Sequence, residues 1–435
     1  MSSSITRRQL LVEGSKVAVS ASVLSALLAA CGGDSGSGNQ TSDVSLRYWV
    51  LGYSPNGGNQ TGKLTDAAVA AYKKAHKNLK GVTITGYTGD QSGFTKLTQA
   101  VQGGSTVDVF RLPSDVLPTL VRAGSVAPID DFLTADDKSD IASNLLDAVS
   151  TDGKRYSWPL WVPPVGMYLN LDIFKERGVD VPKDDWTYEE FVDIAKRLTF
   201  KRSNGQQVYG YSGVIDAGVV NTWPFIMGDG AYPLSKDNKQ YTFNTPEGVS
   251  GLQKLMDLAL KYKVTPPDFG TQTTTDMVTG FSQKKNYAMY SEPSGSSATY
   301  KALGMNFTVK SMPIGMSGKP LTTGGIGLIS VTNLQDDNKL KAAMDLARYL
   351  TSSQVGHDIT GYYLAPGARK SVDVSDPIAL FKPFVPYTYI TPIIAQWPQI
   401  RTILHDQIQK AVLGKVSAKD ALNNPASEVN SLLNG

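Results

Sequence analysis

The sequence predicts an α/β protein whose first part carries a largely parallel sheet. Three observations support this. Strand and helix patterns alternate from the start of the globular part. Several helix starts bring their own capping residues. The 435 residues leave room for two or three cores at roughly 150 residues per domain. The alternation opens with Val44, Leu46, Tyr48 and Val50 on one face and Ser45, Arg47 and Trp49 on the other, a half-buried strand. Leu64 to Lys77 follows, with Leu64, Ala67, Ala68, Ala71 and Tyr72 at helical spacing and basic residues late, which suits the helix dipole. Residues 82–85 read as a strand, 94–101 as a helix and 107–110 as a strand.

A second region begins near Trp158. Thr187-Tyr188-Glu189-Glu190 is a capping box, and Phe191, Ile194, Ala195 and Leu198 then form one apolar face. Thr245-Pro246-Glu247 joins an N-cap to a first-turn proline, with Val249, Leu252, Leu255, Met256 and Ala259 on the buried side. Ile400, Ile403, Leu404, Ile408 and Val412 mark a late helix that Gly414 stops, and Ser417 caps the next. No internal repeat is visible.

Composition narrows the function classes. Hydrophobic residues make up 41% and charged residues 19%, too apolar for a disordered chain. A formal charge of +3 excludes a chain-wide basic footprint for nucleic acid. A single cysteine excludes an intramolecular disulfide framework and multi-cysteine metal sites. That cysteine is Cys31. Arg7 and Arg8 precede a mostly apolar, small-residue run from Val17 to Ala30, which has the layout of a secretory signal and is too short to span a bilayer comfortably. Leu28-Ala29-Ala30-Cys31 resembles the bacterial lipobox, which implies lipidation of Cys31. Thr6-Arg7-Arg8-Gln9-Leu10-Leu11 resembles a twin-arginine signal, with Leu10 where Phe is common. Residues 1–30 are thus expected to be a signal peptide and 31–43 a lipidated cysteine with a flexible tether. Loss of 1–30 removes three basic residues and one acidic residue, so the charge falls from +3 to +1.

Catalytic signatures are missing: there is no zincin helix motif, P-loop, Rossmann fingerprint or nucleophile elbow. His76, His357 and His405 lie far apart on expected helices and read as surface or packing residues, so no metal site is expected. Glu189-Glu190 reads as helix capping. Asp130-Asp131 and Asp136-Asp137 read as solvated turn and cap residues. What the chain does have is 6 Trp and 20 Tyr, several in loop-like surroundings. An aromatic face with a polar handle suits a sugar ring, whose C–H faces are apolar and whose rim is hydroxylated. Trp161, Trp223 and Trp397, each beside Pro or near Gly, are the candidates, with core packing as the alternative for each.

The stretch from Tyr156 to Thr199 resembles the central signature of the extracellular solute-binding proteins of carbohydrate ABC importers, the maltose-binding-like family. Tyr168-Leu169-Asn170-Leu171-Asp172-Ile173-Phe174, Gly178, Trp186-Thr187-Tyr188-Glu189-Glu190-Phe191 and Ala195-Lys196-Arg197-Leu198-Thr199 follow its order. Similar runs follow at Phe243–Gly248, Phe281–Met289, Met312–Gly315, Thr323–Gly325 and Leu413–Leu422. The resemblance covers nearly all of 44–435. It implies two discontinuous α/β domains of the periplasmic-binding-protein kind (type II) with a ligand cleft between them. The expected lobes are 44–156 plus 305–331 and 160–300 plus 335–435, with hinges near 157–160, 300–305 and 331–335.

The same resemblance implies a monomeric, non-enzymatic binding protein without a cofactor. It would capture a mono- or oligosaccharide by hinge closure and deliver it to the transmembrane subunits of an ABC permease. It would be held on the outer face of the cytoplasmic membrane by lipid on Cys31. Motif position assigns ligand contacts to Asp115 after the strand at 107–110 and to Tyr53 after the first strand. Asn221 and Trp223 would contribute from a second-domain loop, and Glu292 from a loop where relatives carry Trp. Gly324 and Gly325 would present backbone amides, and Trp397 would be the stacking aromatic. Tyr362 and Tyr363 are further candidates. Two alternatives remain open. The same fold could bind a polyol or a glycerol phosphate ester, for which Arg111 is the basic candidate. The chain could also be an extracellular glycosidase.

Overall fold

The computed structural model describes residues 44–435 except 78, 89, 90, 105 and 218. The expected signal at 1–30, the expected lipid site at Cys31 and the expected tether to residue 43 lie outside the described residues.

Two five-stranded sheets organise the chain. The first contains β1 (Val44–Leu51), β2 (Leu79–Tyr87), β3 (Val109–Pro113), β6 (Trp158–Trp161) and β13 (Gly327–Val331), in the order β2-β1-β3-β13-β6. β1 pairs in parallel with both β2 and β3, as the opening alternation of strands and helices requires; β13 runs antiparallel to β3 and β6. The first helix, Gln60–Ala75, starts four residues ahead of the expected Leu64, because the Asn59 side chain accepts the Gly62 N–H. A Cβ at Gly62 would lie 2.1 Å from the Ser54 carbonyl oxygen, so glycine is what lets that first turn close. Trp49, expected on the solvent side of β1, is buried, since a central strand has both faces covered.

A hairpin, β4 (Ser150–Thr151) and β5 (Lys154–Arg155), is turned by Asp152 (φ +51°) and Gly153 (φ +77°). Positive φ at both central residues is the two-residue turn that matches strand twist.

The second sheet contains β7 (Val165–Asn170), β8 (Phe200–Lys201), β9 (Gln207–Ser212), β10 (Tyr287–Pro293) and β11 (Phe307–Lys310), in the order β11-β7-β10-β9-β8. Its β10–β9 pair is parallel and the others antiparallel. Met167, Leu169 and Met289 bury into one apolar cluster, and Tyr168 and Tyr290 into another on the opposite face. The capping box at Thr187 is complete: Glu190 accepts the Thr187 N–H at 2.7 Å and Thr187 Oγ1 accepts the Glu190 N–H at 3.3 Å. Thr245 and Ser417 cap as expected, and Gly414 (φ +70°) follows the helix Trp397–Val412.

The crossings between the sheets differ from the expected hinges. The chain passes from β6 to β7 through 162–164, and from β12 (Thr322–Gly324) to β13 through 325–326. It crosses again between Val372, in the first core, and Phe381, in the second lobe. β11, expected in the first lobe, is an edge strand of the second sheet, hydrogen-bonded to β7. The helix Asp337–Leu350, expected in the second lobe, buries Ala343, Leu346, Ala347 and Leu350 in the first core. Amphipathic elements settle on whichever sheet completes their apolar face, and linear order does not specify which.

Asp137, read as a solvated cap, does cap Thr134 but is buried between two arginines. Arg369 Nη1 lies 2.8 Å and Arg348 Nε 2.9 Å from its oxygens.

Candidate functional site

A cleft of about 1420 Å³ runs between the lobes. One wall comes from the first lobe: Pro118, Val121 and Arg122 of the helix Leu117–Arg122, Asp147, the β4–β5 turn with Asp152, and Tyr156. The facing wall carries Tyr232, Ser235, Asp237 and Glu247. The floor is 389–396, which continues β14 (Thr388–Ile390); Ile390 pairs with Gly324, immediately before the crossing at 325–326. Tyr232 and Tyr389 lie 5.4 Å apart between ring centroids, and Tyr232 is 43% exposed. Ser235 Oγ donates to Asp237 at 2.6 Å, and that bond holds the Asp237 carboxyl below its usual range. The cleft thus joins tyrosine faces with exposed carboxylates Asp147, Asp152, Asp237 and Glu247.

At the hinge end, β3 and β6 bring Arg111 and Trp161 together. The Arg111 guanidinium carbon stands 3.9 Å from the Trp161 ring centroid. Trp161 can lie over the sheet because its partner is Gly327, where a Cβ would come within 2.2 Å of the indole nitrogen. Asp115 follows on the turn after β3, and its neighbour Ser114 approaches Gly325. From the other lobe comes Arg401, in the first turns of the helix Trp397–Val412; burial lowers its pKa, and the charges of Asp115 and Asp216 raise it.

The remaining expected contacts are distributed as follows. Asn221 and Glu292 meet, but as a buried pair: Asn221 Nδ2 donates to Glu292 Oε2 at 2.8 Å, Tyr290 donates to the same oxygen at 2.5 Å, and Ser296 donates to Oε1 at 2.8 Å. Burial pushes the Glu292 carboxyl up, against the lowering effect of the Tyr290 and Ser296 hydrogen bonds. Trp223 and Trp397 do not line the cleft. Both are fully buried in the second core, edge to face at 5.8 Å, and Trp223 stacks on His405. Both begin helices as Trp-Pro, and their rings turn inward to fill the core between those helices rather than outward to a ligand. Tyr362 is buried in the first core, where it donates to the Leu350 carbonyl; Tyr363 donates to that of Ser352. Tyr53 donates to Asp66 Oδ1 at 2.8 Å. Gly324 sits against the Pro163 carbonyl and the Thr388 methyl, a close approach between two crossing segments.

Reasoning from sequence overlooked the cleft tyrosines Tyr232 and Tyr389. The available signal was a tyrosine just past Gly230 (φ +115°), where the backbone turns outward, and one two residues ahead of Thr391-Pro392.

Two α/β lobes joined by several crossing segments, with a cleft between them, define a protein that encloses a solute. Residues 67–379 match the model for bacterial extracellular solute-binding proteins, and the chain belongs to that family. It is similar to a binding protein of Brucella abortus, 24% identical over 346 residues that cover 78% of this chain and 82% of the relative. It is similar also to the sn-glycerol-3-phosphate-binding periplasmic protein of Brucella melitensis, 24% identical and covering 76% and 80%. Among solved structures, the cyclic α-maltosyl-1,6-maltose binding protein from Arthrobacter globiformis superposes with a TM-score of 0.74. Identity is 23%, and 90% of this chain and 100% of the other are covered. An ABC substrate-binding protein of Listeria monocytogenes in complex with cycloalternan gives 0.73 at 21% identity, covering 90% and 99%. No helix among the described residues is long and apolar enough to cross a membrane.

Proposed function

We propose that the protein is the substrate-binding component of an ABC importer, capturing an extracellular mono- or oligosaccharide and delivering it to the permease subunits. The observation that carries this reading is the cleft, whose walls belong to different lobes and present tyrosine faces beside carboxylates. A ligand that touches both walls only when they close stabilises the closed form by that difference in affinity. Such capture needs no covalent step, which supports reading the protein as a carrier rather than an enzyme; the same reading takes it to act as a monomer. Proteins of the same fold, one solved in complex with cycloalternan and one named as a cyclic α-maltosyl-1,6-maltose binding protein, support the sugar class. The lipobox-like Leu28–Cys31 and the twin-arginine-like Arg7-Arg8 support an exported protein tethered by lipid to the outer face of the cytoplasmic membrane. Asp115, Trp161 and Gly325 stand beside the hinge crossings and outside the lining of the open cleft, and are proposed to reach the ligand only when the lobes close.

A thermal-shift panel of mono- and oligosaccharides tests the reading. A sugar present at 100 times its Kd stabilises the fold by about 2.7 kcal/mol. Turnover of a sugar polymer by the purified protein would instead identify an enzyme. The second reading, a glycerol phosphate ester, is favoured by the Brucella melitensis relative and by Arg111 at the hinge end.

A further inference from the structure

We propose that Arg111 is the seat for an oxyanionic group, phosphate or carboxylate, carried by the captured solute. The inference rests on the solute-binding reading above and narrows its ligand class.

The Arg111 side chain is mostly withdrawn from water, and burial lowers its pKa. Among the described residues no carboxylate forms an ion pair with it. Its polar surroundings are the phenols of Tyr48, Tyr87 and Tyr362. All three are pushed up by burial, Tyr48 to about 12, so they remain neutral and none serves as a counter-ion. Two are already committed: Tyr87 donates to the Arg111 carbonyl and Tyr362 to that of Leu350. Several other buried charges in this protein are ion-paired. Arg369 sits on Asp137, Asp108 on Arg47 and Lys339, and Lys254 on Asp229. Arg111 is matched only by a π face.

That arrangement leaves the edge of the guanidinium without an ion-pair partner among the described residues. The Trp161 indole covers one face of the guanidinium, and Gly327 provides the room for it. The planar edge of a stacked guanidinium still offers paired N–H donors, the geometry that grips phosphate or carboxylate in two parallel hydrogen bonds. A half-buried cation without a counter-charge gains a charge-assisted pair when a ligand brings the anion. Its place also fits: β3 ends two residues later, and ligands of α/β sheets bind beyond the carboxyl ends of parallel strands.

The test is calorimetry on the intact protein with matched pairs: glucose against glucose 6-phosphate and glucuronate, and glycerol against sn-glycerol 3-phosphate. The expected result is that an acidic member binds at least tenfold more tightly than its neutral counterpart. That preference should weaken with added salt, and binding should change Trp161 fluorescence. Whether the phosphate esters or the uronate bind identifies which oxyanion the seat takes. In Arg111→Met the preference should vanish while the melting temperature of the unliganded protein is equal to or above wild type; Arg111→Lys should keep part of it. An arginine with a purely structural role would instead lower that temperature when replaced by Met. Equal affinity for acidic and neutral members, unchanged in Arg111→Met or Arg111→Lys, overturns the oxyanion seat and leaves the transport reading standing. Absence of binding across the whole panel overturns both.

Discussion

His405 shows how burial at one residue sets a property of the whole fold. It is 4% exposed, its ring stacks at 5.2 Å on Trp223, and its Nδ1 lies 2.8 Å from the Arg401 carbonyl. Burial pulls its pKa down to about 4, and the adjacent Arg401 charge adds to that against the raising influence of Asp216. The unfolded chain binds the proton near 6.5, so between about 6.5 and 4 the unfolded state holds more protons than the folded one. Stability is complete above the upper value and falls as pH drops through the window, by about 2 kcal/mol from pH 7 to pH 5. Urea unfolding at both pH values checks this. In His405→Gln the drop should largely disappear, whereas Glu292, pushed up by burial, contributes the opposite slope in both proteins. Trp397 yields a second expectation. Because it is fully buried, Trp397→Ala should cost about 3–5 kcal/mol of stability. Binding of a sugar should then be lost only to the extent that folding is, which calorimetry beside thermal denaturation separates.

Among the elements, the helix ends of the first lobe form one structural unit. Asp137 closes the capping box of the short helix Ala135–Asp140 and receives Arg348 from the helix Asp337–Leu350 and Arg369 from a later loop. Burial pushes its carboxyl up, and the Thr134 and Arg369 contacts outweigh that and hold it below the ordinary value. Asp137→Ala removes the closer carboxylate of the buried Arg369, leaving only Asp140 at 3.7 Å, and should cost about 3 kcal/mol, measured by denaturant unfolding. Thr187→Ala, which removes half of an exposed capping box, should cost only about 1 kcal/mol. The contrast separates a cap that water can replace from one on which a buried charge depends.

At the scale of the whole molecule, the proposed function requires the two walls of the cleft to approach one another. The crossings at 162–164 and 325–326 lie side by side, since Gly324 approaches the Pro163 carbonyl, and closure would pivot there. Saturation with a bound sugar should reduce the radius of gyration in small-angle scattering. Widening the Gly324 approach with Gly324→Val, where even a Cβ comes within 2.8 Å of the Thr388 methyl, should impair that compaction. Unaltered compaction in the folded variant would remove this contact from the hinge.

The sequence by itself determined the local events. The parallel opening of β1, β2 and β3, the caps at Thr187, Thr245 and Ser417, and the family resemblance all rest on short-range spacing, and short-range spacing is what a sequence displays. It named Asn221 and Glu292 separately as ligand contacts, and only the fold shows them bonded to each other in a buried pair. Only the tertiary structure decided which lobe β11 and the helix Asp337–Leu350 complete. Only it turned Trp223 and Trp397 into the core and set Tyr232 beside Tyr389 in the cleft. It alone left Arg111 against Trp161 without a carboxylate. The reason is physical. An aromatic or charged side chain has the same local pattern whether it packs inward or faces a ligand, and the choice is made by which distant surface offers it a partner.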